Sequence, residues 1–145
     1  MKTQYTKPAE IKKNWYVVDA SGQTLGRMAS QIAHVLMGKH KASFVRNWDC
    51  GDHVVVLNAG DVALTGRKRE QKKYYWHTSY IGGIKEVGVD ELRETYPDRV
   101  IKSAVKGMLP KNKLGRKMLG HLKIYAGAEH PHEAQKPAPL PKRTI

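Results

Sequence analysis

The sequence holds a single cysteine, Cys50, a single phenylalanine, Phe44, and half as many acidic as basic residues, 13 against 26. One cysteine forms no internal disulfide, which excludes a disulfide-stapled scaffold and fits a reducing compartment. No stretch approaches the roughly 18 apolar residues that span a bilayer. The opening Met1 to Pro8 lacks the apolar segment of a secretory signal, so a soluble, intracellular chain with no membrane partner is expected. A Walker A sequence is missing too. In the segment 19–26, Gly22 and Gly26 are spaced Gly-x-x-x-Gly, without the central glycine that lets a pyrophosphate approach a dinucleotide loop. That segment reads as a plain strand-to-helix turn, and nucleotide hydrolysis is rejected.

Positive charge is what the chain has in excess. The net charge is +13 on 145 residues, a length that favours one domain burying roughly two-thirds of its unfolded surface. A field of that sign favours polyanions. It is also uneven: residues 85–109 carry 5 basic and 5 acidic side chains, whereas 110–145 carry 8 and 2. Charge serving solubility alone would be spread evenly, so one basic face is expected.

The hydrophobic pattern predicts the fold class. Trp15 to Asp19 and Val54 to Asn58 are short apolar, β-branched runs, the second apolar on consecutive residues, as in a strand covered on both faces. Leu25, Met28, Ala29, Ile32, Ala33, Val35 and Leu36 form a helical stripe, with Thr24 as its cap and Gly38 at its left-handed exit. Asp61 to Gly66 suggests another short strand. Val89 to Thr95 and Pro97 to Met108 read as helices, the second burying Val100, Ile101, Ala104, Val105 and Met108. Lys117 to Leu122 suggests a further helical turn or two before a late strand, Lys123 to Gly127. An α/β layered domain with a mainly parallel sheet follows, over 14–127. Residues 1–13 read as an arm. Residues 128–145, with Pro131, Pro137, Pro139 and Pro141, read as an extended tail outside the core.

Cations cluster in three places. Arg67-Lys68-Arg69-Glu70-Gln71-Lys72-Lys73-Tyr74-Tyr75-Trp76-His77 interleaves charge with aromatics. Cations neutralise phosphates and aromatic faces stack on unpaired bases, so the run suits RNA. Its alternative is a solvated loop with the aromatics turned inward. Lys39-His40-Lys41, with Arg46 nearby, follows the first helix, where cations also favour the macrodipole. The run 106–117, with Lys106, Lys111, Lys113, Arg116 and Lys117, mixes cations with Gly and Pro, giving a backbone able to approach phosphates closely.

Other constellations are weaker. Cys50-Gly51-Asp52-His53 groups a thiol, a carboxylate and an imidazole, but adjacent residues entering a strand diverge and nothing there orients a base. His130-Pro131-His132 offers two ligands where zinc needs three or four, so no metal and no cofactor are expected. Pro137 to Pro141 fits a PxxP spacing that extended linkers share.

Taken in order, Trp15-Tyr16-Val17-Val18-Asp19-Ala20, Gly22 to Arg27, Gly38 to Lys41, Gly51 to Ala59, Thr65 to Lys68, Tyr74 to His77, Gly82 to Lys85, Val105 to Arg116 and Tyr125 to Pro137 resemble the bacterial ribosomal large-subunit protein thirteen family over about residues 14–137. Asn47 to Cys50 and Thr78 to Ile81 depart from its commoner residues. The resemblance implies a three-layer α/β/α fold with a parallel four-stranded sheet, and a non-catalytic structural place in the large ribosomal subunit. It implies contact with large-subunit rRNA and neighbouring large-subunit proteins, an early role in assembly, a cytoplasmic location and no homo-oligomer.

Charge clusters and resemblance together nominate Arg27, Lys39, His40, Lys41, Arg46, Arg67, Lys68, Lys72, Lys73, Lys106, Lys111, Lys113, Arg116, Lys117, His130 and His132 as RNA-facing, with Tyr75, Trp76 and His77 stacking or packing. Two rivals stay open: a free-standing regulator that binds messenger RNA and represses translation, which is compatible as a second role, and a nucleic-acid enzyme, which would need a metal or acid–base cluster.

Overall fold

The computed structural model describes residues 6–141. The elements run β1 (Trp15–Asp19), α1 (Leu25–Met37), β2 (His53–Leu57), α2 (Lys68–Gln71), β3 (Lys73–His77), β4 (Ile84–Gly88), α3 (Val89–Thr95), α4 (Pro97–Met108), α5 (Lys113–Gly120), β5 (Leu122–Ile124) and β6 (Ala138–Pro139). The main sheet has the order β5-β2-β1-β6, every pair parallel, while β3 and β4 form a separate antiparallel hairpin. This is the α/β fold with a four-stranded parallel sheet, in the expected three-layer α/β/α class.

Register explains why β2 is apolar on consecutive residues. Val54 and Val56 join the core cluster with Val18, Met28, Ile32, Leu36, Ile101 and Val105, so that face receives α1 and α4. Their neighbours point the other way. Val55, which is fully buried, shares the second face with Trp15, His53 and Tyr125, where His132 packs against Trp15 and Tyr125.

Helices α1, α3 and α4 occupy their predicted spans, and Gly38 ends α1 at φ 78° as expected. Thr24 does not cap α1 with its side chain. Instead Leu25 N–H donates to the Ala63 carbonyl at 3.0 Å and Ala63 N–H donates to that of Gln23 at 2.8 Å. That single bridge is all that forms of the strand expected over 61–66, because residues 59–61 turn as a short 3-10 helix. Two glycines allow close crossings: a Cβ on Gly51 would lie 1.7 Å from the Leu36 carbonyl oxygen, and one on Gly115 would lie 1.8 Å from that of Pro110.

Three further differences have physical causes. The stretch after Gly66 is a helical turn and a hairpin strand rather than a loop, since Tyr74 and Val87, facing each other across the hairpin, pack against the core. Helix α5 starts at Lys113, four residues before the predicted turn, because Asn112 Oδ1 accepts from Gly115 N–H at 2.8 Å. The Pro-rich segment supplies β6: Ala138 and Pro139 pair with Tyr16 and Val17, and Leu140 N–H donates to the Val17 carbonyl at 3.1 Å. Proline is tolerated there because β6 is an edge strand.

Candidate nucleic-acid interface

The cationic side chains are positioned by the turns around α1 and α4. At the end of β1, Asp19 Oδ1 accepts from Ser21 N–H at 3.0 Å, Ser21 Oγ at 2.8 Å and Asn58 Nδ2 at 2.9 Å. These bonds, the Ser21 backbone donor foremost, hold the carboxyl below its ordinary value and tie the exits of β1 and β2 together. The Ala63 bridge then fixes the 63–65 segment beside the first turn of α1, which contains no acidic residue. A cleft of about 510 Å³ opens there, lined by Thr24, Arg27, Thr65, Lys68, Lys72, Ala104 and Met108 among others. Met108, predicted to end a buried stripe, is 41% exposed and forms part of this wall. A helical period tells which residues share a face but not where the covering layer stops.

A second cleft, of about 460 Å³, lies between the last turns of α4 and the start of α5, with Ser103, Lys106, Pro110, Lys111, Asn112, Gly115 and Arg116 on its walls. Lys39 lies in a shallower depression with His34, Met37 and the same Met108. Arg27, Lys39, Lys68, Lys72, Lys106, Lys111 and Arg116, scattered over ninety residues of chain, are therefore grouped about α4's last turns. Lys113 and Lys117 are exposed on α5, Arg46 follows α1 in an exposed loop, and Arg67 is exposed at the start of α2.

Other nominated residues are engaged within the fold. Lys41 Nζ donates to Asp52 Oδ1 at 2.5 Å, to the Lys12 carbonyl at 2.7 Å and to that of Cys50 at 3.1 Å. His40 Nε2 stands 2.8 Å from Asp52 Oδ2, within ion-pair range but without hydrogen-bond geometry. Lys73 pairs with Glu86 at 2.7 Å on the exposed hairpin, and Lys72 Nζ also sits 5.3 Å from the Tyr74 ring centre. Tyr75 and Trp76 are open to solvent, as is His77, whose Nδ1 accepts from Ser79 N–H at 2.9 Å.

His130 and His132 lie away from the clefts, with the cluster on the second face of the sheet. His132 Nε2 is 2.8 Å from the Tyr125 hydroxyl, and its backbone N–H donates to His130 Nδ1 at 3.1 Å. Trp15 stacks on His53 at 4.3 Å, and His53 meets His121 edge-on at 4.4 Å. Burial first, then the charges of His121 and Lys13, push the His53 imidazole below its ordinary value. Asp49 is opposed: burial would raise its carboxyl, but Lys13 at 2.6 Å and His121 at 2.8 Å outweigh that and hold it low.

Cys50 is buried, its thiol directed at the carbonyls of Ser43 and Val45, so it has no part in a nucleophilic arrangement with His53. Sequence reasoning did not reach Ser103 and Thr65, or the exposed tip between β3 and β4. The Gly82-Gly83 pair, with Tyr74-Tyr75-Trp76 before it and Ile84 and Val87 after it, is the signal that points to that hairpin.

The family profile described as ribosomal protein L13 matches residues 13–131. The chain belongs to the ribosomal protein L13 family. Among its relatives are the large ribosomal subunit proteins uL13 of Halorhodospira halophila, 57% identical over 97% of this chain and 99% of theirs, and of Aquifex aeolicus, 56% identical over 97% of both. That of Bordetella pertussis is 53% identical over 97% of this chain and 99% of its own. Ribosomal protein L13 is a structural protein rather than an enzyme, and this L13 chain shares that character.

Proposed function

We propose that this chain is a structural constituent of the large ribosomal subunit, in the cytoplasm, and binds large-subunit rRNA through the face around the end of α4. Neighbouring large-subunit proteins are its other partners. The observation that carries the reading is the convergence of Arg27, Lys68 and Lys72 on one cleft and of Lys106, Lys111 and Arg116 on the next. Cations gathered in clefts can neutralise phosphates, and each phosphate they neutralise releases condensed counterions. His40 and Lys41 are assigned to the buried Asp52, Lys73 to Glu86, and His132 and His130 to the cluster with Tyr125, leaving the seven cations about α4, with Arg46, Arg67, Lys113 and Lys117, as the phosphate-facing set. Tyr75, Trp76 and His77 add a stacking surface on the hairpin.

The same geometry is what supports an early place in assembly. The core closes on its own side chains, so the cationic face exists before RNA is met. Messenger RNA offers the same phosphates, which makes binding off the ribosome a second use of that face.

The test measures rRNA binding against salt for the full chain and for a variant with Arg27, Lys68 and Lys72 replaced by Ala. The log–log salt slope should fall by about 0.9 for each phosphate no longer neutralised, roughly 2–3 in total. An unchanged slope refutes the assignment. Fractionation of cell extract on sucrose gradients should find the chain in large-subunit particles; a predominantly free chain refutes the structural role.

A further inference from the structure

The cleft between α4 and α5 combines an apolar interior with a cationic edge. Leu109, Pro110, Gly115 and Leu119 line it together with Lys106, Lys111 and Arg116. Its shape is set by the fold: Leu109 is anchored in the core at 5% exposure, Asn112 caps α5, and Gly115 packs directly on the Pro110 carbonyl. Among the described residues, none of the three cations pairs with a carboxylate. Residues 99–128 hold 8 basic side chains and no acidic one, so no internal anion competes for them. Asn112 Oδ1 is taken by Gly115 N–H, which leaves its Nδ2 to donate, and the Ser103 hydroxyl has no partner among the described residues.

A paired duplex leaves such an interior empty, because it keeps its bases stacked and shows the protein sugar, phosphate and shallow groove edges. An apolar protein side chain would fill it, but would bring no anion to the three cations. An unpaired nucleotide supplies both an apolar face and a phosphate. We propose that this cleft receives an unpaired, unstacked rRNA nucleotide, its base against Leu109, Pro110 and Leu119 and its edge toward Asn112 and Ser103. The flanking phosphates meet Lys106 and Lys111, and the guanidinium plane of Arg116 covers the open face of the base; no aromatic ring lines the cleft to do so. The proposal rests on the rRNA-binding reading of this face and adds that one part of it takes a base as well as backbone.

The experiment places a diazirine analogue of leucine at position 119 of the full chain, purifies large subunits that contain it, and irradiates them. Reverse-transcription stops should map the cross-link to one nucleotide whose base reacts with dimethyl sulfate or carbodiimide in protein-free rRNA, as unpaired bases do. A cross-link to a neighbouring protein or to a paired nucleotide, or none in subunits that contain the chain, overturns the proposal. A second arm adds Gly107→Leu. Gly107 lines the cleft from an exposed helical position where a Cβ meets nothing within 4 Å, so the new side chain occupies space without strain and every cation is kept. The cross-link should drop at least tenfold while the salt slope of rRNA binding stays that of the parent chain. A retained cross-link, or an abolished slope, counts against the seated base. If the cross-link fails while replacing Arg27, Lys68 and Lys72 still lowers the slope, the rRNA interface stands without it, so the two readings fail separately.

Discussion

Lys41 places its ammonium 2.5 Å from Oδ1 of Asp52, a carboxylate with no solvent exposure, eleven residues along the chain. Asn14 N–H donates to the same oxygen at 2.7 Å, so the pair joins the arm before β1, the loop after α1 and the entry to β2. A buried carboxylate left without its cation is costly, and removing one partner of such a pair typically costs about 3–5 kcal/mol. Lys41→Met should therefore destabilise the isolated chain by about 3 kcal/mol in urea unfolding. A loss under about 1 kcal/mol would show that Lys41 is free to serve elsewhere.

Gly51→Ala tests the crossing of the 50–52 segment over the end of α1. The added methyl would sit 1.7 Å from the Leu36 carbonyl oxygen, a backbone atom that cannot step aside alone. We expect a loss of about 3 kcal/mol. Gly107→Ala, in a helical position with nothing within 4 Å, should instead stabilise by up to about 1 kcal/mol. Equal urea midpoints for the two variants would contradict the crossing geometry.

His53 should make stability fall on the acid side of neutrality. Its folded-state value lies below the ordinary 6.5, so in that window the unfolded chain binds more protons. By linkage, stability present above about pH 6.5 is lost as pH falls through the folded-state value. His53→Phe keeps a ring against Trp15 and removes the titration. Its melting temperature should decline less than the parent's between pH 7.5 and 5.5, and parallel curves would reject this assignment.

Lys73 and Lys68 are close in sequence but should differ in RNA binding. Lys73 is paired with Glu86, whereas Lys68 lines the first cleft. Lys68→Gln should lower the salt slope by about one unit and Lys73→Gln by much less. Glu86→Gln, which frees Lys73, should raise affinity at low salt; a drop in affinity would point to a direct role for Glu86.

Ending the chain at Lys136 removes β6 and Leu140 from the edge of β1. The backbone pairing of Ala138 and Pro139 with Tyr16 and Val17, the Leu140 bond to the Val17 carbonyl and part of the Leu140 burial go with it, at a cost of about 2 kcal/mol. Faster amide exchange along β1 and a lower urea midpoint are the expected signs. An unchanged midpoint would mean that the edge strand adds nothing.

What the sequence determined by itself is whatever depends on period and composition. The stripe from Leu25 to Leu36, the helices starting at Val89 and Pro97 and the consecutive valines of β2 are legible because they are local, and each appears at its expected place; the surplus of cations is legible as composition alone. Only the tertiary structure decided which cations are engaged internally. Lys39 and Lys41 are two residues apart in one basic triplet, yet one faces an open depression and the other a buried carboxylate. It also decided that Pro139 ends up beside Val17 and that Met108 remains exposed. These outcomes depend on packing between segments far apart in the chain. A charge or an apolar side chain carries no local mark of what folding will place across from it.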